Sequence, residues 1–309
     1  MCRSVFYFFI YVVFVVFSPN FAAAGSEEHH QDHHAHIRIV SSMAPLKLLV
    51  DDLVGDLAGD YFDSELLVEG ASTPHHHSLK FSEIKKTRDA DLLIWLGADL
   101  EGYLAKAVDQ YAKESVLDLS KVEALAWVER VAAHSDIHIW LSSEAAALMA
   151  DAIAARLIEL RPSAKKTIVS NLSRLKGVLF TVRDDVSKRL LGLQAKPLLA
   201  YHQAFSHFLH EQSLYQLQSV TRYPDEQLSL KRLRELAPRV SSAACILAEY
   251  GEEQPAVKLA ERFGRKVVGV DILALNQSQM PSGQAYAGFY REIGERVREC
   301  LLLGAGMDQ

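Results

Sequence analysis

From Ile37 onward, short unbroken apolar runs alternate with stretches in which apolar residues recur every three or four positions. Short runs bounded by turn residues read as buried strands, and the longer period reads as amphipathic helices. The first half predicts strands over Ile37–Ser42, Leu66–Val68, Asp91–Leu96 and Ser115–Leu117. Between them fall helices opening at Pro45, over Ser82–Arg88, and from Gly97 to about Ala112. Pro45 suits a first helical turn, where its missing N–H is not needed. The second half repeats the alternation. Strands are predicted over Pro197–Tyr201, Tyr215–Val220, Ala243–Ala248 and Lys266–Val270, and helices over Ala204–Gln212, Leu228–Leu236, Glu253–Phe263 and Gly283–Leu302. Strands alternating with helices at this spacing belong to parallel sheets covered on both faces.

Two longer helices stand between the halves. Ser142 can cap the first, over Ser143–Leu160, with Glu144 in its first turn; Pro162 ends it. The second runs from about Ala164 to Leu191. Its residues Ile168, Leu172, Leu175, Leu179, Val182, Val186 and Leu190 keep the helical spacing throughout. Such a helix spans roughly 40 Å, enough to cross two domains and fix their relative position. The expected fold class is therefore α/β: two (β/α) lobes, each with a parallel sheet, joined by one long rigid helix. The lobes are placed at 37–163 and 193–309, with the linking helix at 164–192. A chain of 309 residues is long enough for two domains.

The first 36 residues break the pattern. Arg3 precedes an apolar run from Val5 to Phe17, and Ala22-Ala23-Ala24 offers a small-residue cleavage site before Gly25. This reads as a secretory signal peptide over 1–24, with an uncleaved anchor as the alternative. Residues 25–36 carry five histidines and no large apolar side chain. Such a segment forms no core and is expected to be a mobile tail, either a solvated terminus or a weak metal collector. Removing the leader takes Arg3 with it and moves the net charge from −6 to −7. With no basic face, nucleic acid is not an expected partner. Cys245 and Cys300 remain after the leader. An even pair in an exported chain favours a disulfide over two buried thiols.

Three histidines fall where buried strands should end. They are His75 in Pro74-His75-His76-His77-Ser78, His138 in Asp136-Ile137-His138-Ile139-Trp140, and His202 in Ala200-Tyr201-His202-Gln203. In an open α/β sheet the carboxyl ends of the strands face a ligand crevice. Three neutral imidazoles meeting there suit zinc. A single histidine at a strand end is commonly a hydrogen-bonded structural residue, and a histidine triplet is often only a polar loop. Three at matched positions in two lobes weaken that reading. Asp271 follows the last strand and is a candidate fourth ligand, with water as the other. His207 and His210 lie further along the helix after His202 and are expected to be non-ligands.

These segments resemble the metal-binding solute-binding proteins of ABC transporters, in particular the zinc-uptake branch, over nearly the whole mature chain. Gly70-Ala71-Ser72, His75 and Ser78-Leu79-Lys80-Phe81-Ser82-Glu83-Ile84 are similar to the family's first ligand motif, and Asp136-Ile137-His138-Ile139-Trp140-Leu141-Ser142 to its most specific one. His202-Gln203-Ala204-Phe205, Leu247-Ala248-Glu249 and Val270-Asp271 are similar to later motifs. In the family's spacing one histidine precedes two other residues and then Ser-Leu, which selects His75 within the triplet. The resemblance implies a ligand set of His75, His138, His202 and Asp271 or water, a Cys245–Cys300 disulfide, and delivery of zinc to an inner-membrane permease. It also implies a periplasmic monomer. Three departures stand out: Leu119–Ser135 is short and offers only His134, one extra residue enters the first motif, and Gln203 replaces the usual Asp.

Two other functions are weighed. A manganese or iron carrier on the same fold would favour more oxygen ligands, whereas the His202 position here is nitrogen. A secreted zinc hydrolase needs an open coordination site and a general base; Glu249 is a candidate base, but a structural or partner-facing role suits it better. No H-E-x-x-H or G-x-S-x-G pattern occurs, so a binding protein rather than an enzyme is expected.

Overall fold

The structure, a computed structural model, describes residues 36–70, 75, 77–111, 113–126, 136–223, 226–251, 253–276 and 283–303. The leader over 1–24, the histidine-rich segment apart from His36, and His76 and His134 lie outside these residues.

The first lobe holds β1 (Ile37–Ser41), α1 (Ala44–Val54), β2 (Phe62–Leu66), α2 (Phe81–Arg88), β3 (Leu92–Trp95), α3 (Gly102–Val108) and β4 (Val116–Asp118). Helix α4 (Ser143–Leu160) and the long α5 (Lys165–Arg189) follow. The second lobe holds β5 (Leu198–His202), α6 (Ser206–Glu211), β6 (Gln216–Thr221), α7 (Leu230–Ser242), β7 (Cys245–Glu249), α8 (Glu253–Glu261), β8 (Val267–Val270) and α9 (Ala285–Leu303). The sheets have the same topology, β2-β1-β3-β4 and β6-β5-β7-β8, and every pairing is parallel. In each sheet the strand order reverses at the lobe's first strand. Side chains at the carboxyl ends of β1, β3, β5 and β7 therefore line the crevices where such folds place ligands.

Burial explains both the elements and their agreement with the pattern. Strands β3, β5 and β7 are buried at every position, as expected for the middle of covered sheets. The edge strand β2 is the exception. It covers Phe62–Leu66 rather than Leu66–Val68, because Phe62 alone is buried and the polar Asp63, Ser64 and Glu65 hide an edge strand from an apolar-run reading. Helix α7 runs on past Pro238 to Ser242. Leu236 and Val240, one turn apart, are both fully buried and hold the helix together across the proline.

Ser142 caps α4 as expected, accepting the Ala145 N–H at 3.3 Å. On α5 the buried stripe is Ile168, Leu175, Leu179, Val182 and Val186, with Asn171 in the same stripe donating to the Leu53 carbonyl at 2.9 Å. At about 1.5 Å per residue this helix is close to 40 Å long. It packs against α1, α4 and α9. One apolar core includes Ile39 and Leu92 from the first sheet together with Leu198 and Leu247 from the second, and each lobe has a smaller outer core of its own. Asp52 on α1 accepts the Ala285 and Tyr286 N–H groups, both at 3.0 Å, at the start of α9. A carboxylate at a helix N-terminus is favoured by the orphan donors and the helix dipole. Cys245 on β7 is bonded to Cys300 on α9, with Cα atoms 5.5 Å apart, so the last helix is stitched to the sheet.

Candidate metal centre

The sequence leads to three rings, and the fold brings them together. His75 lies in the loop after β2, His138 precedes the short turn into α4, and His202 is the last residue of β5. Their ligand nitrogens all lie within 4.8 Å of one another. Ring centroids are 5.4 Å apart for His75 and His138, 5.3 Å for His75 and His202, and 4.8 Å for His138 and His202. His138 and His202 are each 2% exposed, while His75 is half-buried on the solvent side. Trp140, fully buried, packs 4.9 Å from His138 and walls the site. Tyr223 lies 5.9 Å from His75 at the mouth.

Each of the two deep rings is turned by a carboxylate. Asp136 Oδ1 lies 2.7 Å from His138 Nδ1 and accepts the His138 backbone N–H at 3.0 Å. Glu249 Oε1 bonds His202 Nδ1. An ionised carboxylate only accepts, so each Nδ1 carries the hydrogen, and in the neutral ring Nε2 then keeps its lone pair. Among the described residues, His202 Nε2 is buried without a hydrogen-bond partner. His138 Nε2 faces His75 Nε2 at 3.4 Å. A buried acceptor such as His202 Nε2 is costly to leave unmatched. Two nitrogens bound about 2.05 Å from one tetrahedral zinc stand about 3.3 Å apart, so the His75–His138 separation is that of neighbouring ligands.

The strand register puts the second carboxylate in reach. Strand β5 pairs with β7 as Leu198↔Cys245, Leu199↔Ile246 and Ala200↔Leu247, which sets His202 beside Glu249 at the ends of adjacent strands. Electrostatics favours a neutral ring next to an ionised acid. Burial disfavours charge on His202 and holds its pKa below the usual histidine value, against the pull of Glu249. Burial also opposes ionisation of Glu249, but its hydrogen bond to His202 and the nearby rings outweigh burial and lower its pKa. At Asp136 burial is again the largest single influence and is again outweighed. The charge and hydrogen bonds of His138, with His207 close by, bring its pKa down to about 2.

Other sequence candidates sit apart from the three rings. His77 turns away: its Nε2 lies 2.8 Å from Glu83 Oε2 and its ring stands edge-on to Tyr103 at 5.1 Å. Asp271 is not in the three-ring group. Its carboxylate accepts the N–H groups of Leu273, Leu275 and Asn276 at 3.2, 3.0 and 3.0 Å, and Asn276 Nδ2 at 3.3 Å. Glu249, for which the sequence favours a structural or partner-facing role over that of a general base, has its carboxylate on His202. The orienting roles of Asp136 and Glu249 were not read from sequence. Asp136 carries a local signal, two residues before His138, whereas the Glu249 contact exists only through strand pairing.

Comparison with known proteins identifies the family and the fold. The family described as "ZnuA: Zinc-uptake complex component A periplasmic" matches residues 39–300. A high-affinity zinc uptake system protein ZnuA of Haemophilus ducreyi is 27% identical over 297 residues, covering 86% of this chain and 94% of the relative. A crystal structure of ZnuA superposes with a TM-score of 0.67 at 19% identity, covering 84% of this chain and 98% of the other. The nickel complex of the solute-binding protein FpvC from P. aeruginosa superposes with a TM-score of 0.72 at 19% identity, covering 86% and 97%. These structures share the fold, two lobes with parallel four-stranded sheets joined by a long helix. The match over most of its length makes this chain a member of the ZnuA family, the periplasmic component of zinc-uptake complexes.

Proposed function

We propose that this protein captures zinc in the crevice between its lobes and hands it to an inner-membrane ABC permease. Zinc is held by His75, His138 and His202, with Asp271 or water completing a tetrahedron. The supporting observation is the convergence of one ring nitrogen from each of three histidines, two of them on rings whose Nδ1 is held by a buried carboxylate. A carboxylate oxygen can accept more than one partner, so the bonds that Asp271 makes to its own loop leave it available as a ligand. Nitrogen at all three protein positions favours zinc over manganese. The engagement of Glu249 by His202 argues against a hydrolase, which needs that base turned toward substrate.

The protein acts as a periplasmic monomer whose leader, 1–24, is removed on export. The mass of the exported protein is expected to begin at or near Gly25, and an intact residue 1 would refute cleavage. The lobe boundaries at 37–163 and 193–309, about a linking helix at 164–192, belong to this reading. The histidines over 25–36 are accessory. Calorimetric titration of a protein lacking 25–36 is expected to keep one tight zinc site and lose only weak additional binding. Loss of the tight site on that deletion would move the site to the tail and overturn the three-ring centre.

A further inference from the structure

By position in the chain, His138 belongs to the first lobe, between β4 and α4. Its segment is nevertheless bonded repeatedly to the second lobe. Asp136 Oδ2 accepts the Ser206 N–H at 3.0 Å, and the Asp136 carbonyl lies 2.6 Å from His207 Nε2. A carbonyl carries no hydrogen, so the His207 ring donates. The Trp140 indole N–H donates to the Ile272 carbonyl at 2.7 Å, and the Tyr286 hydroxyl donates to the Trp140 carbonyl. Glu211, at the end of α6, accepts the Ser143 and Glu144 N–H groups at 2.9 and 3.2 Å, capping α4 from the other lobe.

Asp136 is the junction. One oxygen holds the His138 ring and the other holds the N-terminus of α6, four residues beyond His202. His138 and the segment after His202 are thereby linked through one residue. His75 stands on a loop whose far side is fixed within the first lobe, through His77 to Glu83 and Tyr103.

Resting on the reading that the three rings hold zinc, we propose that His207 is a positioning residue for zinc binding. It is 3% exposed and touches no ligand ring in any contact described above. Its bond to the Asp136 carbonyl fixes the Asp136 carboxylate, which aims His138 Nε2 at the point His202 faces. The paired rings form a preset half-site, and His75 completes it.

The test is a set of double-mutant cycles read by zinc affinity, using zinc alone as the probe and thermal melts to confirm folding. His207→Ala in otherwise unchanged protein is expected to weaken zinc by about ten- to a hundredfold, as loss of an outer-sphere support does. His207→Gln, which returns an N–H donor, is expected to recover most of that loss. In a His75→Ala background His207→Ala is expected to cost a similar factor again, because the half-site remains to be misaligned. In a His138→Ala background it is expected to cost less than about twofold, because the ring it positions is gone. Equal costs in both backgrounds, or no cost in the unaltered protein, would overturn the proposal. If His138→Ala itself leaves zinc affinity unchanged, the three-ring centre fails rather than the role of His207.

Discussion

Replacing His138 or His202 by Ala is expected to weaken zinc binding by more than about a hundredfold, beyond the ten- to hundredfold typical of losing an outer-sphere support. Each is buried, each is oriented by its own carboxylate, and on the proposed reading each supplies a nitrogen to the metal. His75→Ala should follow the same direction. The proper control is His210→Ala, since His210 is exposed on α6. From sequence His207 looks equally innocent, but its buried bond to the Asp136 carbonyl removes it from the controls. The sharper change is His202→Glu. It exchanges a borderline nitrogen for a hard oxygen and is expected to narrow the preference for zinc over manganese. Competition titration with the two metals measures this. An unchanged zinc affinity and an unchanged ratio would exclude His202 as a ligand.

The pH dependence follows from the same chemistry. Zinc binds neutral imidazole, so protons compete with it as the pH falls below the ordinary histidine value of about 6.5. Burial lowers the pKa of His202, so that ring stays neutral further into the acid range than an exposed histidine. Zinc affinity is therefore expected to fall as the solution is made acidic, with the His202 contribution lost only below the ordinary histidine value.

The second large effect concerns the bridge between Cys245 and Cys300. It closes a loop with a sequence separation of 55 residues, for which the chain-entropy treatment gives about 4 kcal/mol. Reduction, or a Cys300→Ser change, is expected to lower the unfolding free energy of the chain by about that amount, within the 2–5 kcal/mol usual for native bridges. Zinc affinity should hold while the protein stays folded, because both cysteines are buried and neither belongs to the three-ring group. Denaturant unfolding with and without reductant measures the first effect. Thiol labelling of the unfolded, unreduced chain is expected to find no free thiol among these two. An unfolding midpoint indifferent to reductant would refute the stabilising role.

Much of the architecture was legible along the chain. Buried parallel strands announce themselves as apolar runs, so Leu92–Trp95, Leu198–His202 and Cys245–Glu249 fell close to their predicted places. The spacing from Ile168 to Val186 foretold a long helix with one buried stripe, and Ser142 and Pro162 marked where its neighbour begins and ends. Elements that failed the local rules were displaced: the edge strand Phe62–Leu66 is mostly polar, and the helix through Pro238 is held by burial rather than propensity.

The three histidines and the cysteine pair were also visible as residues, but only His202 ends a strand as expected; His75 lies in a loop well beyond β2 and His138 just before the short turn into α4, far from the end of β4. What each ring points at was not visible. His77 differs from His75 by two positions in one loop, yet only packing against Glu83 and Tyr103 sends it the other way. Glu249 reaches His202 because two strands 47 residues apart pair in one register. Asp136 joins His138 to Ser206 across 70 residues of chain. Sequence alone determined which residue types and elements are available, since propensity and apolar period are local properties. Tertiary structure decided which nitrogens converge and what holds them, since those contacts exist only after distant segments are brought together.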